Sequence, residues 1–250
     1  MTFNIRYNNP SDKANWWEHR KPELKALILN YQPSVLGLQE ALLDQVEYLD
    51  ENLENYSYVG VGRDDGKTKG EYAPIFYDKT RMELLKFRNY WLSESPEKVS
   101  VGWDASMERI VTFASFIDKQ SKENIYVFNA HFDHIGEVAQ EKSAALIIEL
   151  INELEIKDER IVVMGDLNCV STSKPIQLLK QYLNDAYDVS DIEHTGPKGT
   201  FNRFEEKIIP TVRIDYILTK NLRLKSYHCI DDKRTNGLCI SDHLPVLIYL

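Results

Sequence analysis

The chain has 250 residues, of which 43% are apolar and 28% are charged, a composition typical of a globular protein with a sizeable core. No apolar run approaches the roughly 20 residues that cross a bilayer, so we expect no stable membrane insertion. With 30 basic and 39 acidic residues the net charge is −9, which argues against the broad basic surface of a protein that coats duplex DNA.

The first segment, residues 1–7, has the pattern of a strand, and no signal peptide stands before it. We therefore expect either a cytoplasmic protein or an exported one whose leader precedes Met1. No internal repeat, low-complexity tract or linker rich in Pro, Gly and Ser follows. Residues 1–250 are accordingly predicted to form a single domain, whose oligomeric state the sequence does not indicate.

Apolar residues at helical spacing predict helices over residues 21–31, 41–53 and 138–154, and Pro175 suits the first turn of a shorter helix. Between these segments lie short apolar runs rich in Val, Ile, Phe and Tyr, which predict strands. The runs are 35–38, 56–61, 73–77, 84–91, 110–117, 125–130, 161–164, 213–218, 222–230 and 244–250. This mixture, with strands in the majority, favours two packed sheets with helices outside them.

Polar side chains end or interrupt several of these predicted strands. They are Glu40 after 35–38, His131 after 125–130, Asp166 and Asn168 after 161–164, Asp215 within 213–218, and Asp242 and His243 before 244–250. Asp and Asn after a Gly are also common in simple turns. Asp215 is harder to explain in that way, because a carboxylate within an apolar strand is unfavourable unless it is paired. Strand ends that meet at one sheet edge would gather these side chains into one site.

The order of these motifs resembles the endonuclease/exonuclease/phosphatase superfamily, the fold of pancreatic-type deoxyribonuclease. The matching segments are Thr2-Phe3-Asn4-Ile5-Arg6, Leu38-Gln39-Glu40, Gly70-Glu71-Tyr72-Ala73, Glu108-Arg109-Ile110-Val111, Asn129-Ala130-His131, Gly165-Asp166-Leu167-Asn168, Ile214-Asp215-Tyr216-Ile217 and Ser241-Asp242-His243-Leu244-Pro245. They extend over nearly the whole chain. Within the superfamily the nearest resemblance is to the deadenylase-like branch, through residues 129–134, 200–201 and 214–216.

The resemblance implies an α/β (α+β) fold with four layers, α/β/β/α, in which two facing mixed β-sheets are flanked by helices. It also implies a metal-dependent phosphoesterase. Glu40 would bind the catalytic divalent ion, with Asn4 and Asp242 close to it. Oxygen ligands suit Mg²⁺ or Mn²⁺ better than zinc.

The same resemblance implies roles around the phosphate. Asp166 would orient or deprotonate the attacking water, and Asn168 would hold the phosphoryl group. His131 and His243 would contact the phosphate. The carboxylates that would orient these two imidazoles are Glu71 and Asp215, respectively.

Two arginines, Arg109 and Arg6, match positions that contact phosphate oxygens. Asp133 and His134 follow His131 in a predicted loop, where they would either bind substrate or support the histidine. A carboxylate bonded to each imidazole is expected to raise the pKa of both histidines. The carboxylates of the site would repel one another, and a divalent cation with two imidazolium groups would neutralise much of that charge.

These residues favour a phosphodiesterase or phosphomonoesterase that acts on a nucleotide, a short or single-stranded nucleic acid, or a phosphorylated small molecule. The alternatives are a lipid head-group enzyme of the sphingomyelinase or inositol-phosphate phosphatase type and a phosphate-binding module without catalysis. Trp17, Trp103 and Phe201 are interpreted either as core aromatics or as a wall on which an unpaired base stacks.

Overall fold

A computed structural model describes residues 1–189 and 192–250 of the chain. The four helices are α1 (Trp17–Tyr31), α2 (Leu43–Asn52), α3 (Glu137–Glu153) and α4 (Lys174–Lys180), with short 3₁₀ helices at Pro10–Asn15 and Ala186–Asp188. The four predicted helices are therefore confirmed, although α1 begins four residues before the predicted start. Within the described ranges, no helix is long and apolar enough to span a bilayer.

Thirteen strands are present in the described ranges. They are β1 (Thr2–Asn4), β2 (Val35–Gln39), β3 (Tyr56–Val59), β4 (Ile75–Asp78), β5 (Met82–Trp91), β6 (Ile110–Asp118), β7 (Asn124–His131), β8 (Ile161–Asp166), β9 (Asn184–Asp185), β10 (Glu193–Thr195), β11 (Asp215–Lys220), β12 (Ser226–Cys229) and β13 (Val246–Tyr249). The run predicted at 222–230 is shorter than expected, and β9 and β10 are too short to give a sequence pattern.

The strands form two mixed sheets. The first has the order β10, β12, β13, β1, β2, β4, β3, and the second has the order β5, β6, β7, β8, β11, β9. The neighbours β1 and β2 are parallel in the first sheet, as are β7 and β8 in the second, whereas β11 runs antiparallel to β8. The polar residues that end β2, β7 and β8 and begin β11 are thereby brought to one edge of the two sheets.

Three apolar layers join these elements. One cluster packs α1 and α2 on the first sheet, a second packs α3 and α4 on the second sheet, and a third lies between the sheets. Along β8, Ile161 and Val163 face the helices, while Val162 and Met164 face the first sheet. This alternation explains why a strand buried on both faces reads as a continuous apolar run. The predicted four-layer sandwich is confirmed.

A buried amide joins the two sheets behind the site. The side chain of Asn129 on β7 donates to the carbonyl oxygens of Leu38 and Pro74, at 2.8 and 2.9 Å, and accepts from Nε2 of Gln39 at 2.6 Å. A Cβ at Gly37 would lie 2.6 Å from Oδ1 of Asn129, so only glycine lets the amide cross at this point. The side-chain amide of Asn129 therefore fixes the spacing of the two sheets.

Candidate active site

Strand register sets the centre of the site. Asp166, the last residue of β8, lies opposite Asp215 of β11 on one side and beside His131 of β7 on the other. Gly165 makes this register possible because its φ is +146° and a Cβ there would lie 1.9 Å from the carbonyl oxygen of Ala130. A side chain at this position would push β8 away from β7.

The Asp166 carboxylate is the point where the predicted residues converge. Its Oδ2 accepts from Nδ2 of Asn4 at 2.9 Å, and its Oδ1 accepts from the backbone N–H of Asn168 at 2.9 Å. The Nε2 atoms of His131 and His243 each lie 3.7 Å from the same Oδ2. Both imidazoles thus face Asp166 from outside hydrogen-bond distance, with their outer nitrogens directed at one carboxylate oxygen.

His243 is held by a buried carboxylate. Its Nδ1 lies 2.9 Å from Oδ2 of Asp215, and both side chains are buried. Burial alone would lower the pKa of His243, but the negative charges of Asp215 and Asp166 outweigh it and raise the pKa well above its ordinary value. The imidazolium form is therefore favoured, with Nε2–H free to donate.

His131 differs from the sequence expectation. Its Nδ1 lies 3.7 Å from Oε2 of Glu71, too far for a hydrogen bond, because that oxygen accepts from Nη1 of Arg63 at 2.7 Å. Burial, followed by the positive charges of Arg109 and Arg63, lowers the pKa of His131 well below its ordinary value. The prediction that carboxylates raise the pKa of both histidines is thus wrong for His131, whose neutral form is favoured.

Burial also favours the neutral forms of the acidic residues. Burial and the nearby charge of Asp215 raise the pKa of Asp166 to about 7, despite the opposing effects of His243 and Asn4. Burial likewise raises the pKa of Asp242, and repulsion from Glu40 adds to the shift. Such crowding is relieved when a cation binds among the carboxylates.

Three side chains meet where such a cation could bind, and the two carboxylates among them can be ligands while His243 is protonated. One atom each from Glu40, Asp166 and His243 lie within 4.8 Å of one another. Of the other two predicted metal residues, Asp242 is not part of this group. Asn4 lies between the acids but presents its nitrogen to them, since Nδ2 donates to Glu40 at 3.0 Å as well as to Asp166. Its Oδ1 accepts from the backbone N–H of Arg6 at 3.0 Å.

The remaining predicted residues surround this centre. Arg6 pairs with Asp12 at 3.0 and 3.2 Å, and its guanidinium also lies 3.9 Å from Glu40. Asn168 has a left-handed backbone, with φ of 49°, and its Nδ2 donates to the carbonyl oxygen of Phe132 at 3.1 Å. Both residues are therefore held by partners in the chain next to the centre.

The predicted substrate contacts Arg109, Asp133 and His134 form a group of their own. Nε of Arg109 donates to Oδ2 of Asp133 at 3.2 Å, and its Nη2 donates to Nδ1 of His134 at 2.8 Å. Although burial alone would raise the pKa of Asp133, backbone N–H groups of Gly136 and Ile135 help to lower it below its usual range. Asp133 is consequently a structural anion that fixes this loop.

The aromatic residues divide between core and site. Trp17, the first residue of α1, is buried in the core, which confirms the interpretation of it as a core aromatic. Phe201 is half-buried and lies with its ring centroid 4.8 Å from that of His243. Trp103 is half-buried in the loop before β6. Phe201 thus lies in the site, beside His243.

Sequence reasoning missed Arg63 and Asp12. Arg63 bonds the carboxylate that was expected to orient His131, and Asp12 holds the guanidinium of Arg6. Both stand in polar segments, where a charged residue is ordinarily solvated. Nothing in the sequence distinguishes either residue from an ordinary solvated charge.

Comparison with known proteins bears on this site. The sequence pattern of the Endonuclease/Exonuclease/phosphatase family matches residues 1–243. A solved endonuclease/exonuclease/phosphatase from Bacteroides vulgatus is 39% identical, with a TM-score of 0.92 over 99% of this chain and 95% of that chain. The mannosyl-6-phosphatase of Bacteroides thetaiotaomicron is 33% identical, with a TM-score of 0.93 over 99% of this chain and 97% of that chain.

More distant solved structures share the fold of this chain. The human Nocturnin catalytic domain has a TM-score of 0.75 over 98% of this chain and 90% of that chain. At 20% identity this likeness is one of fold. The resemblance to the family that was inferred from the motifs is confirmed by the match over residues 1–243.

Proposed function

We propose that this chain, which belongs to the endonuclease/exonuclease/phosphatase family, hydrolyses a phosphate ester by attack of water with the help of a divalent metal ion. The observation that carries the proposal is the convergence on Asp166. Two imidazoles face one of its oxygens, and Asp215 lies behind one of them. A buried carboxylate can take a proton from a bound water molecule, while the two histidines beside it can donate to phosphoryl oxygens.

The residues present fit a divalent ion on the acidic side of Asp166. Oxygens of Glu40 and Asp166 lie close together and can both be ligands, and Asp242 adds negative charge nearby, whereas the nitrogen of His243 in the same group carries a proton in the imidazolium form. Carboxylate oxygens suit Mg²⁺ or Mn²⁺. Asn4 would join them once its amide turned its oxygen inward. The ion would supply positive charge for the phosphoryl oxygens.

Side chains of the site carry out the remaining steps of the proposed reaction. Asp166, whose pKa is raised by burial and by the nearby charge of Asp215, takes the proton of the attacking water. His243, kept protonated by Asp215, donates from Nε2 to a phosphoryl oxygen as negative charge builds there. Asn168, fixed by the turn after β8, holds the phosphoryl group from the other side.

His131 plays a different part because it is neutral. It can donate one N–H to the phosphate while Arg109 supplies the positive charge that an imidazolium would otherwise carry. The Glu71 carboxylate lies 3.7 Å from Nδ1 of His131 and accepts a hydrogen bond from Arg63. Arg6 lies beside Glu40 and would have to break part of its ion pair with Asp12 to contact a phosphate oxygen.

A small or single-stranded phosphate ester is the proposed substrate. The net charge of −9 disfavours a wide contact with duplex DNA, whose affinity comes largely from phosphate contacts. Phe201 beside His243 offers a ring for a base or a sugar face. The relative that is a mannosyl-6-phosphatase supports a phosphorylated small molecule.

A hydrolysis screen with Mg²⁺ or Mn²⁺ tests the proposal. It should include sugar phosphates, nucleotides, single-stranded RNA and DNA, plasmid duplex, inositol phosphates and sphingomyelin. We expect turnover that a chelator abolishes, and Glu40→Gln should raise the metal concentration needed for half-maximal rate. Full activity in excess chelator would contradict the metal requirement, and fastest cleavage of plasmid duplex would contradict the substrate class.

A further inference from the structure

Arg63 is a buried cation whose hydrogen-bonding capacity is only partly used. It is 8% exposed, and its guanidinium donates to Glu71 at 2.7 Å and to the weak acceptor Sδ of Met107 at 3.1 Å. Its Nε is shielded from solvent and has no partner within the part of the chain that the structure describes, with the Asp64 carboxylate 3.8 Å away. Nη2, whose acceptor is the sulfur of Met107, would gain a much stronger acceptor from an anion at the site.

A second buried guanidinium lies near the first. Arg109 is 4% exposed, and the charges of Arg63 and Arg109 act on one another and on His131. Its carboxylate partner, Asp133, also accepts from the backbone N–H groups of Ile135 and Gly136, so the negative charge of Asp133 is shared among several donors. The arginine charge is therefore only partly neutralised.

His134 completes this side of the site. Because arginine can only donate, the 2.8 Å contact from Arg109 makes Nδ1 of His134 the acceptor and leaves the proton on Nε2. We call Arg63, Arg109, His131 and His134 the basic wall. Its members come from the loop after β3, the segment before β6 and the end of β7, and all can donate toward an anion.

Asp166 lies between a negatively charged side of the site and a positively charged side. On the side of His243 lie the carboxylates of Glu40, Asp215 and Asp242, of which Glu40 groups with Asp166 as a candidate metal ligand. On the side of His131 lies the basic wall. A phosphate bound next to Asp166 would meet a cation at one end and two guanidinium groups at the other.

We propose that the basic wall binds the terminal oxygens of a phosphomonoester dianion, and that Arg63 makes the enzyme prefer monoesters over diesters. This inference rests on the proposed function. A monoester has three terminal oxygens and a second negative charge above about pH 6, whereas a diester has two such oxygens and one charge. The additional oxygen and charge are what a planar, incompletely paired guanidinium recognises.

The test compares two substrates that share a leaving group. p-Nitrophenyl phosphate is the monoester and methyl p-nitrophenyl phosphate is the diester, both assayed at pH 8 with Mg²⁺. Wild type should prefer the monoester. Arg63→Gln should lower kcat/KM for the monoester about tenfold to a hundredfold, the range for a lost hydrogen bond to a charged group. It should lower the value for the diester by a much smaller factor, since Arg63 also bonds Glu71 beside His131. Arg88→Gln, at an exposed arginine on β5, is the matched control and should change neither value.

Binding of inorganic phosphate gives a readout that does not depend on turnover. Phosphate should raise the melting temperature of wild type and of the control, and should raise it much less for Arg63→Gln. Arg63→Lys keeps the positive charge but lacks the planar guanidinium, so phosphate should raise its melting temperature by an amount between those for wild type and Arg63→Gln. The lysine variant replaces the glutamine variant if the latter fails to fold.

The outcomes separate the two proposals. An equal loss on both substrates would overturn the inference, because Arg63 would then act only through Glu71. A wild type that is faster on the diester would overturn it as well, while still supporting phosphoester hydrolysis. Phosphate binding that depends on Arg63, without turnover of any ester in the screen, would support the anion site and overturn the proposed function.

Discussion

Replacing Asn129 by alanine would remove the amide that joins the two sheets behind the candidate active site. This side chain is fully buried and makes three hydrogen bonds, two as donor to Leu38 and Pro74 and one as acceptor from Gln39. A net contribution of about 1 kcal/mol for each bond gives a loss of about 3 kcal/mol in the free energy of unfolding.

The polar groups left behind keep other partners, so the loss should not be far larger. Nε2 of Gln39 still donates to Oγ1 of Thr2 at 3.0 Å, and the carbonyl oxygen of Pro74 still accepts from the backbone N–H of Leu38 at 3.0 Å. The space vacated by the amide adds a term for lost packing. We therefore expect about 3–4 kcal/mol.

Urea-induced unfolding, followed by tryptophan fluorescence and circular dichroism, measures this change. The matched control is Asn152→Ala on α3, an exposed asparagine whose amide bonds only the carbonyl oxygen of Ile148. The control should stay within about 0.5 kcal/mol of wild type. A loss below about 1 kcal/mol in Asn129→Ala, with an unchanged denaturant slope, would refute the argument that this amide sets the sheet spacing.

Two further predictions concern the site and its supporting loop. Asp166→Asn and His243→Ala should each lower turnover at least ~100-fold in folded protein, because they remove a base and a charge stabiliser. Near-normal turnover in either variant would show that its role is wrongly assigned. Since folding lowers the pKa of Asp133, this carboxylate stabilises the protein above its unfolded pKa of about 3.9, and the contribution is lost as pH falls toward the folded value. The stability gap between wild type and Asp133→Asn, measured by urea unfolding, should therefore be widest near neutral pH and should narrow below about pH 4; a gap independent of pH would contradict this.

Most of the fold could be predicted from the sequence because the information is local. Residues of apolar runs such as that of β8 alternate between two buried faces, and α3 repeats apolar residues at helical spacing. Each element can therefore be predicted without knowledge of the elements that pack against it. Asp166, Asp215 and His243 stand beside such runs, and the structure brings all three together. The two-residue strand β9 had no pattern to detect.

Tertiary contacts alone decided the electrostatics of the site. The sequence identified His131 and Glu71, but the charge state of His131 depends on its burial and on Arg109 and Arg63, which arrive from separate loops. Arg63 itself precedes two aspartates in a polar stretch and reads as a solvated residue, yet folding buries it against Glu71. A pKa reflects the desolvation and the charges around a group, and these are sums over the folded surroundings that neighbouring residues in the sequence do not encode.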